Sequence, residues 1–183
     1  IDPLEIVDAY GADALKFTLA FMFTASQDIL IDTEDFKLGS KFANKIWNAS
    51  RYILMNLEGR SLLGTPESAG LADIDRWIYA RLNTAARTVR DALAQYRFND
   101  AAAAVYEYFW NDFCDWYIEA TKLSMKQGDN HEKDRTTTVL LAVLEESLKL
   151  LHPFLPFVTE EIYQMLPNRA EGAWLISQAY PLP

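Results

Sequence analysis

Apolar residues set three or four apart, repeated over long windows, constrain this chain more than any other feature. Leu38, Phe42, Ile46, Ala49, Ile53 and Leu57 follow that interval, which is the spacing of residues along one face of an α-helix. The helix is expected from about Glu34 to Leu57. Ile74, Ile78, Leu82, Ala85, Val89 and Leu93 repeat the pattern, and so do Leu140, Leu144, Leu148 and Leu151 ahead of Pro153. Between them a helix capped by Asn99 and running to about Lys126 has an aromatic core side of Tyr106, Phe109, Trp110, Phe113, Trp116 and Tyr117, large rings that bury much area each. A short helix is expected from Thr159 to Leu166. Four long helices with short connections predict an all-α, up-and-down antiparallel bundle.

Ahead of the bundle, Asp2 followed by Pro3 is a helix cap with proline at the first helical position. Leu4, Ile6 and Val7 give that short helix its apolar side, and Gly11 ends it. A second helix is expected from Ala12 to Phe23, with Leu15, Leu19 and Met22 inward. Asp28 to Asp32 reads as a short extended piece, and Thr33 or Asp35 caps the helix that follows. Gly59, Gly64, Pro66 and Gly70 mark a loop. Asp73 or Asp75 opens the next helix, and Gly128, Asp129 and Asn130 form a turn. The tail from Ala173 to Tyr180 is expected to be a strand or an extended wrap. Residues 1–36 are read as a small N-terminal helical element and 37–183 as the bundle.

Length and composition limit the function classes. At 183 residues the chain can bury a normal core. It holds no run of ~20 uncharged apolar residues of the kind that spans a bilayer. The single cysteine, Cys114, excludes a disulfide framework within the monomer and fits a reducing, cytoplasmic compartment. Ile1-Asp2-Pro3 opens without an initiator methionine or a signal-like stretch, so it reads as an internal boundary of a longer chain. No nucleophile elbow, glycine-rich phosphate loop or zinc pattern is present. Asp112, Asp115 and Glu119 share one side of a helix, but His131 and His152 are not at ligand spacing to them. No catalytic or metal residue is therefore assigned.

The net charge of −9 argues against nonspecific nucleic-acid binding, which demands a surplus of cations. Its distribution is uneven. Residues 1–36 hold Lys16 against eight acidic residues, whereas 37–60 hold five basic residues against Glu58. Lys37, Lys41, Asn44, Asn48 and Arg51 fall on one helical stripe opposite the apolar face, with Lys45 and Tyr52 beside it. Such a stripe is either a solvated helix surface or an RNA-facing one. In the second reading the amides meet base edges, Arg51 forks to a base or phosphate, and Tyr52 stacks on an unpaired base. Arg76, Asn83, Arg87, Arg90 and Arg97 form a comparable face on the next helix.

Four stretches go further than residue chemistry. IDPLEIVDAYGADALKFTLA (1–20) resembles the segment that follows the KMSKS loop of class I tRNA ligases. FANKIWNASRYILMNL (42–57) and RFNDAAAAVYEYFWNDFCDWYIEATK (97–122) resemble the valine branch, and LLHPFLPFVTEEIYQML (150–166) resembles the closing helices of the subgroup's anticodon domain. The resemblance to valine–tRNA ligases implies an anticodon-binding bundle preceded by a stem-contact element at 1–36, with valine tRNA as partner. It implies that the chemistry, with its ATP and Mg, lies in catalytic and editing domains outside these residues, and that no membrane is involved. An isoleucine or leucine ligase, and a helical protein–protein interaction module, are the alternatives. The family's anticodon contacts follow no fixed motif, so the candidate RNA-binding residues Lys37, Lys41, Asn44, Asn48 and Arg51 rest on the helix-face argument.

Overall fold

The computed structural model describes residues 2–23, 30–66 and 70–181. Asp2 accepts a hydrogen bond from the Leu4 N–H at 2.9 Å and starts α1, Pro3–Tyr10. Gly11, at φ +93°, turns the chain into α2, Ala12–Met22. A 3₁₀ turn, Thr33–Phe36, runs directly into α3, Lys37–Leu57. The N-cap of this turn is Asp32, one residue ahead of the expected Thr33 or Asp35, and the Asp35 carboxylate supports it by accepting from the Asp32 N–H at 2.8 Å. Next come α4, Asp73–Ala94, and α5, one continuous helix over 98–127. α6 is Asn130–Leu151 and α7 is Pro156–Gln164.

The long helices alternate in direction, as an up-and-down bundle requires. Arg81 of α4 meets Asp112 of α5, while Asp75 near the start of α4 meets Tyr117 farther along α5. Past the end of α3, Arg60 and Leu63 meet Asp134 and Thr138 in the first half of α6. α3 and α4 each pack against α5 and α6 and scarcely touch each other. One core joins them all: Phe42, Ile46 and Ile53 of α3, Ile78, Leu82 and Val89 of α4, and Leu140, Leu144, Leu148 and Leu151 of α6 are buried in it. Phe17 of α2 belongs to the same core, with its ring 4.8 Å from that of Phe42.

α5 departs from ordinary helix geometry. Its first part, Phe98–Glu107, and its last, Glu119–Gln127, are α-helical, but Tyr108–Ile118 has the i→i+5 bonding of a π-helix, a rare form. The buried residues there come in pairs, Tyr108 and Phe109, Phe113 and Cys114, Tyr117 and Ile118. They recur at five and then four residues, a mean interval wider than the roughly 3.6 residues of an α-helical turn. A wider turn carries Tyr117 inward and Trp116 outward. The expectation that Trp116 is a core residue is therefore corrected: the residue is 69% exposed. Trp110 is half-buried, stacked on Tyr106 at 5.3 Å.

Other inward assignments shift for similar reasons of local packing. α2 buries Asp13, Ala14, Phe17 and Thr18, because its rings meet Phe42 and Tyr106, and this turns Leu19 out to solvent. Ile74, in the first turn of α4, and Leu4, in the first turn of α1, are exposed. The tail holds a 3₁₀ turn at Leu175–Ser177 in place of a strand. Of the expected extended piece at 28–32, residues 28 and 29 lie outside the described residues, and 30–32 have no regular structure. Within the glycine-marked loop, 67–69 lie outside them as well.

Two buried contacts fix the helices relative to one another. A Cβ placed on Gly39 of α3 would lie 2.5 Å from the Ala14 carbonyl oxygen and 2.7 Å from the Ala14 Cα, so only glycine allows the α2 backbone so close. The Tyr117 hydroxyl donates to Asp75 Oδ1 at 2.7 Å, and Asp75 Oδ2 accepts from the Ala72 N–H at 2.8 Å. Asp75 is 2% exposed, so a carboxylate that would be costly to bury alone both caps α4 and ties it to α5. Burial beside Asp75 pushes the Tyr117 hydroxyl well above the usual phenol range.

Gly39→Ala is expected to lower unfolding free energy by about 1–3 kcal/mol through overpacking against backbone, measured by denaturant titration. Tyr117→Phe removes one of the two bonds to Asp75 and is expected to cost about 1–3 kcal/mol in the same assay. A change within ~0.5 kcal/mol at either site contradicts the packing described for it.

Candidate nucleic-acid interface

α3 buries Phe42, Ile46, Ser50 and Ile53, which leaves its opposite side in solvent. Lys37, Lys41, Asn44, Asn48 and Arg51 are all exposed there, in one line at spacings of four and three. Lys37 bonds Glu34, and that bond holds its ammonium above the ordinary lysine range. Among the described residues, the side chains of Lys41, Asn44, Asn48 and Arg51 have no polar partner. Their donors and acceptors face water along the outer line of the helix.

Beside this line runs a groove of about 230 Å³ between α3 and α5, lined by Lys45, Asn48, Ala49 and Tyr52 on one wall and Cys114, Ile118, Glu119 and Lys122 on the other. Its floor is apolar and its rim charged. Lys45 bonds Asp115 at 2.7 Å and sits 5.0 Å from the centre of the Trp110 ring. Lys122 bonds Glu119 at 2.6 Å and lies 5.7 Å from the Tyr52 ring centre, an attractive cation–π placement. Cys114, 5% exposed, has its thiol pushed up to about 12 by burial, so it stays protonated and unreactive. Sequence reasoning does not bring Lys122 and Glu119 to the site. They join it through the packing of α5 on α3, across some 70 residues of chain.

The carboxylates of α5 have separate partners. Asp112 bonds Arg81 at 2.7 Å, Asp115 bonds Lys45, and Glu119 bonds Lys122. No group of three or more His, Cys, Asp or Glu able to hold a metal is found among the described residues. His152 Nδ1 is 2.8 Å from Thr159 Oγ1, and burial pushes its ring below the usual histidine range.

The second basic face contracts. α4 ends at Ala94, Tyr96 takes a left-handed backbone at φ 56°, and Arg97 bonds Asp100 at the start of α5. The chain has turned before Arg97, which therefore leaves the α4 face. Arg76 is engaged by Asp73 and by the Leu71 carbonyl. Asn83, Arg87 and Arg90 remain exposed on α4, on a different flank of the bundle from α3. No helix among the described residues is long and apolar enough to cross a membrane.

The α3 side thus offers two amides, a guanidinium and lysines next to a groove with Tyr52 on its wall, the groups that pair with base edges, phosphates and unstacked bases. Comparison with known proteins bears on the family of the chain. The chain is 65% identical over 178 residues to a valine–tRNA ligase of Treponema denticola, covering 94% of this chain and 20% of that protein. It is 60% identical to the valine–tRNA ligase of Treponema pallidum, over 91% of this chain and 17% of the other. For that of Thermotoga maritima the identity is 49%, over 94% and 19%. The chain therefore spans about a fifth of the length of these curated relatives. In structure it resembles the LeuRS of Agrobacterium radiobacter, solved in a ternary complex with tRNA and LeuAMS. The TM-score is 0.73 at 21% identity, over 100% of this chain and 21% of that one, a likeness of fold. Residues 75–183 match the family described as the anticodon-binding domain of tRNA ligase, and the chain belongs to that family.

Proposed function

We propose that the exposed face of α3 binds the anticodon loop of valine tRNA, within a valine–tRNA ligase of which this chain is a part. The observation that carries the reading is the line of unpartnered Asn44, Asn48 and Arg51 beside the groove, on a member of an anticodon-binding family. Side chains without internal partners are free to exchange water for bases, whereas those already paired lose a bond when they rebind. The relatives' names support valine over isoleucine or leucine as the amino acid. In the parent enzyme the bundle positions the tRNA while a catalytic domain, using ATP and Mg, performs the ligation; an editing domain is a further partner there. α1 and α2 hold the stem side of the same tRNA. A solvated face that docks a protein is the competing reading, and it predicts no response to the anticodon.

Substitution should separate positioning from recognition when binding of the chain to a valine tRNA transcript is measured against salt. Lys41→Ala is expected to weaken binding to every tRNA and to flatten the log–log salt slope by about 0.7–0.9 for each phosphate that is no longer neutralised. Lys37→Ala should act in the same direction with a smaller effect, since Glu34 already holds part of its charge. Asn44→Ala, Asn48→Ala or Arg51→Ala should shrink the preference for the valine anticodon over a mutated one by roughly 1–3 kcal/mol, the worth of a paired hydrogen bond to a base edge. Unchanged discrimination in all three, with α3 still folded, rejects this face as the reader.

A further inference from the structure

Trp116 is the residue that the fold leaves least explained. A tryptophan is normally well covered, yet this residue is 69% exposed. The π segment that brings Tyr117 onto Asp75 also sets Trp116 on the outer ridge of α5. Irregular helix turns of this kind occur frequently at functional sites.

The surroundings of the ring point to an occupant. Asp112, Asp115 and Glu119 lie four residues before, one before and three after it on α5, and each is joined to a cation: Arg81 from α4, Lys45 from α3 and Lys122 from α5. The six charges cancel. The side chains of Lys45, Arg81 and Lys122 keep 30%, 47% and 47% exposure, so the carboxylates next to Trp116 along α5 carry cations that keep donors in water, while the indole itself is uncovered. Lys45 and Lys122 are also rim residues of the groove beside the α3 line. An aromatic ring among accessible cations is how proteins hold unpaired nucleotides, with stacking on the base and electrostatic attraction to the phosphate. A purely apolar protein partner would bury these three ion pairs at a desolvation cost.

We infer that Trp116 is a stacking platform for an unpaired RNA base, next to the bases read by α3, so that the RNA-binding surface extends from α3 across the groove onto α5. The inference rests on the α3 reading. An unpaired base stacks on the indole, its phosphate is held by Lys45 or Lys122, and because any base offers a π face the stack adds affinity without choosing sequence.

The test measures binding of the 183-residue chain and its variants to valine tRNA and anticodon-mutated transcripts, with thermal unfolding alongside. Trp116→Ala and Trp116→Leu should weaken binding to both transcripts by about the same factor, roughly 5- to 150-fold. The salt slope and the unfolding midpoint should stay unchanged, since the indole neutralises no phosphate and packs in no core. Trp116→Phe should restore most of the affinity, which a merely apolar patch would not distinguish from leucine. If Lys41→Ala weakens binding while Trp116→Ala and Trp116→Leu do not, the inference is overturned and the α3 reading stands. If the leucine variant binds as well as the phenylalanine one, the stack is likewise excluded. A several-degree drop in midpoint for Trp116→Leu shows a structural ring instead, and failure of the unsubstituted chain to bind at low salt removes both readings.

Discussion

The wide turn in α5 determines what the neighbouring helices meet. Were Tyr108–Ile118 an ordinary α-helix, residues seven apart such as Phe109 and Trp116 would share the inner face. With i→i+5 bonding the inner face passes instead through Phe109, Phe113 and Tyr117, whose rings follow one another at 5.3 and 6.1 Å. Tyr117 then reaches Asp75 and locks the start of α4. Asp112 and Asp115 emerge on either side of the outer ridge, one to Arg81 of α4 and one to Lys45 of α3. The same rotation therefore seals the core and shapes the α5 wall of the groove.

A chain of net charge −9 has to confine its cations if it is to meet a polyanion, because a uniform negative surface repels phosphate. Much of the acid here is neutralised locally. Lys149 holds Glu145 and Glu146, Asp112, Asp115 and Glu119 of α5 are paired, and Asp13 is folded inward, where it accepts the backbone N–H groups of Phe157 and Val158 at 3.1 and 2.7 Å and caps α7. Burial raises the Asp13 carboxyl above its usual range in spite of those bonds. What remains outward on α3 is basic and amide-rich. Lys41 and Arg51 on that face thus have no acidic partner among the described residues, in a chain whose net charge is negative.

Much of this is legible in the residues, because periodicity reports burial directly. The stripes of α3 and α6 and most of that of α4 appear as the spacing predicts, and the α3 line is as exposed as its helical phase requires. Periodicity fails where it assumes a uniform turn. It places Trp116 inward because the α interval admits no insertion, and it keeps Arg97 on α4 because no glycine or proline announces the left-handed turn at Tyr96. It points Leu19 inward because the spacing to Leu15 and Met22 competes with that of Phe17 and Phe21, and only the partners, Phe42 and Tyr106, decide between the two faces. The far wall of the groove, Glu119 and Lys122, depends on tertiary packing and carries no local signature.

The central claim is that the outer face of α3 is the surface covered by RNA. Its most direct test is the acylation rate of Lys37 and Lys41, read by mass spectrometry in the free chain and at saturating valine tRNA. Both side chains are exposed without the RNA, so both are predicted to lose reactivity when the complex forms. A complex that forms while both lysines react as fast as in the free chain contradicts the claim.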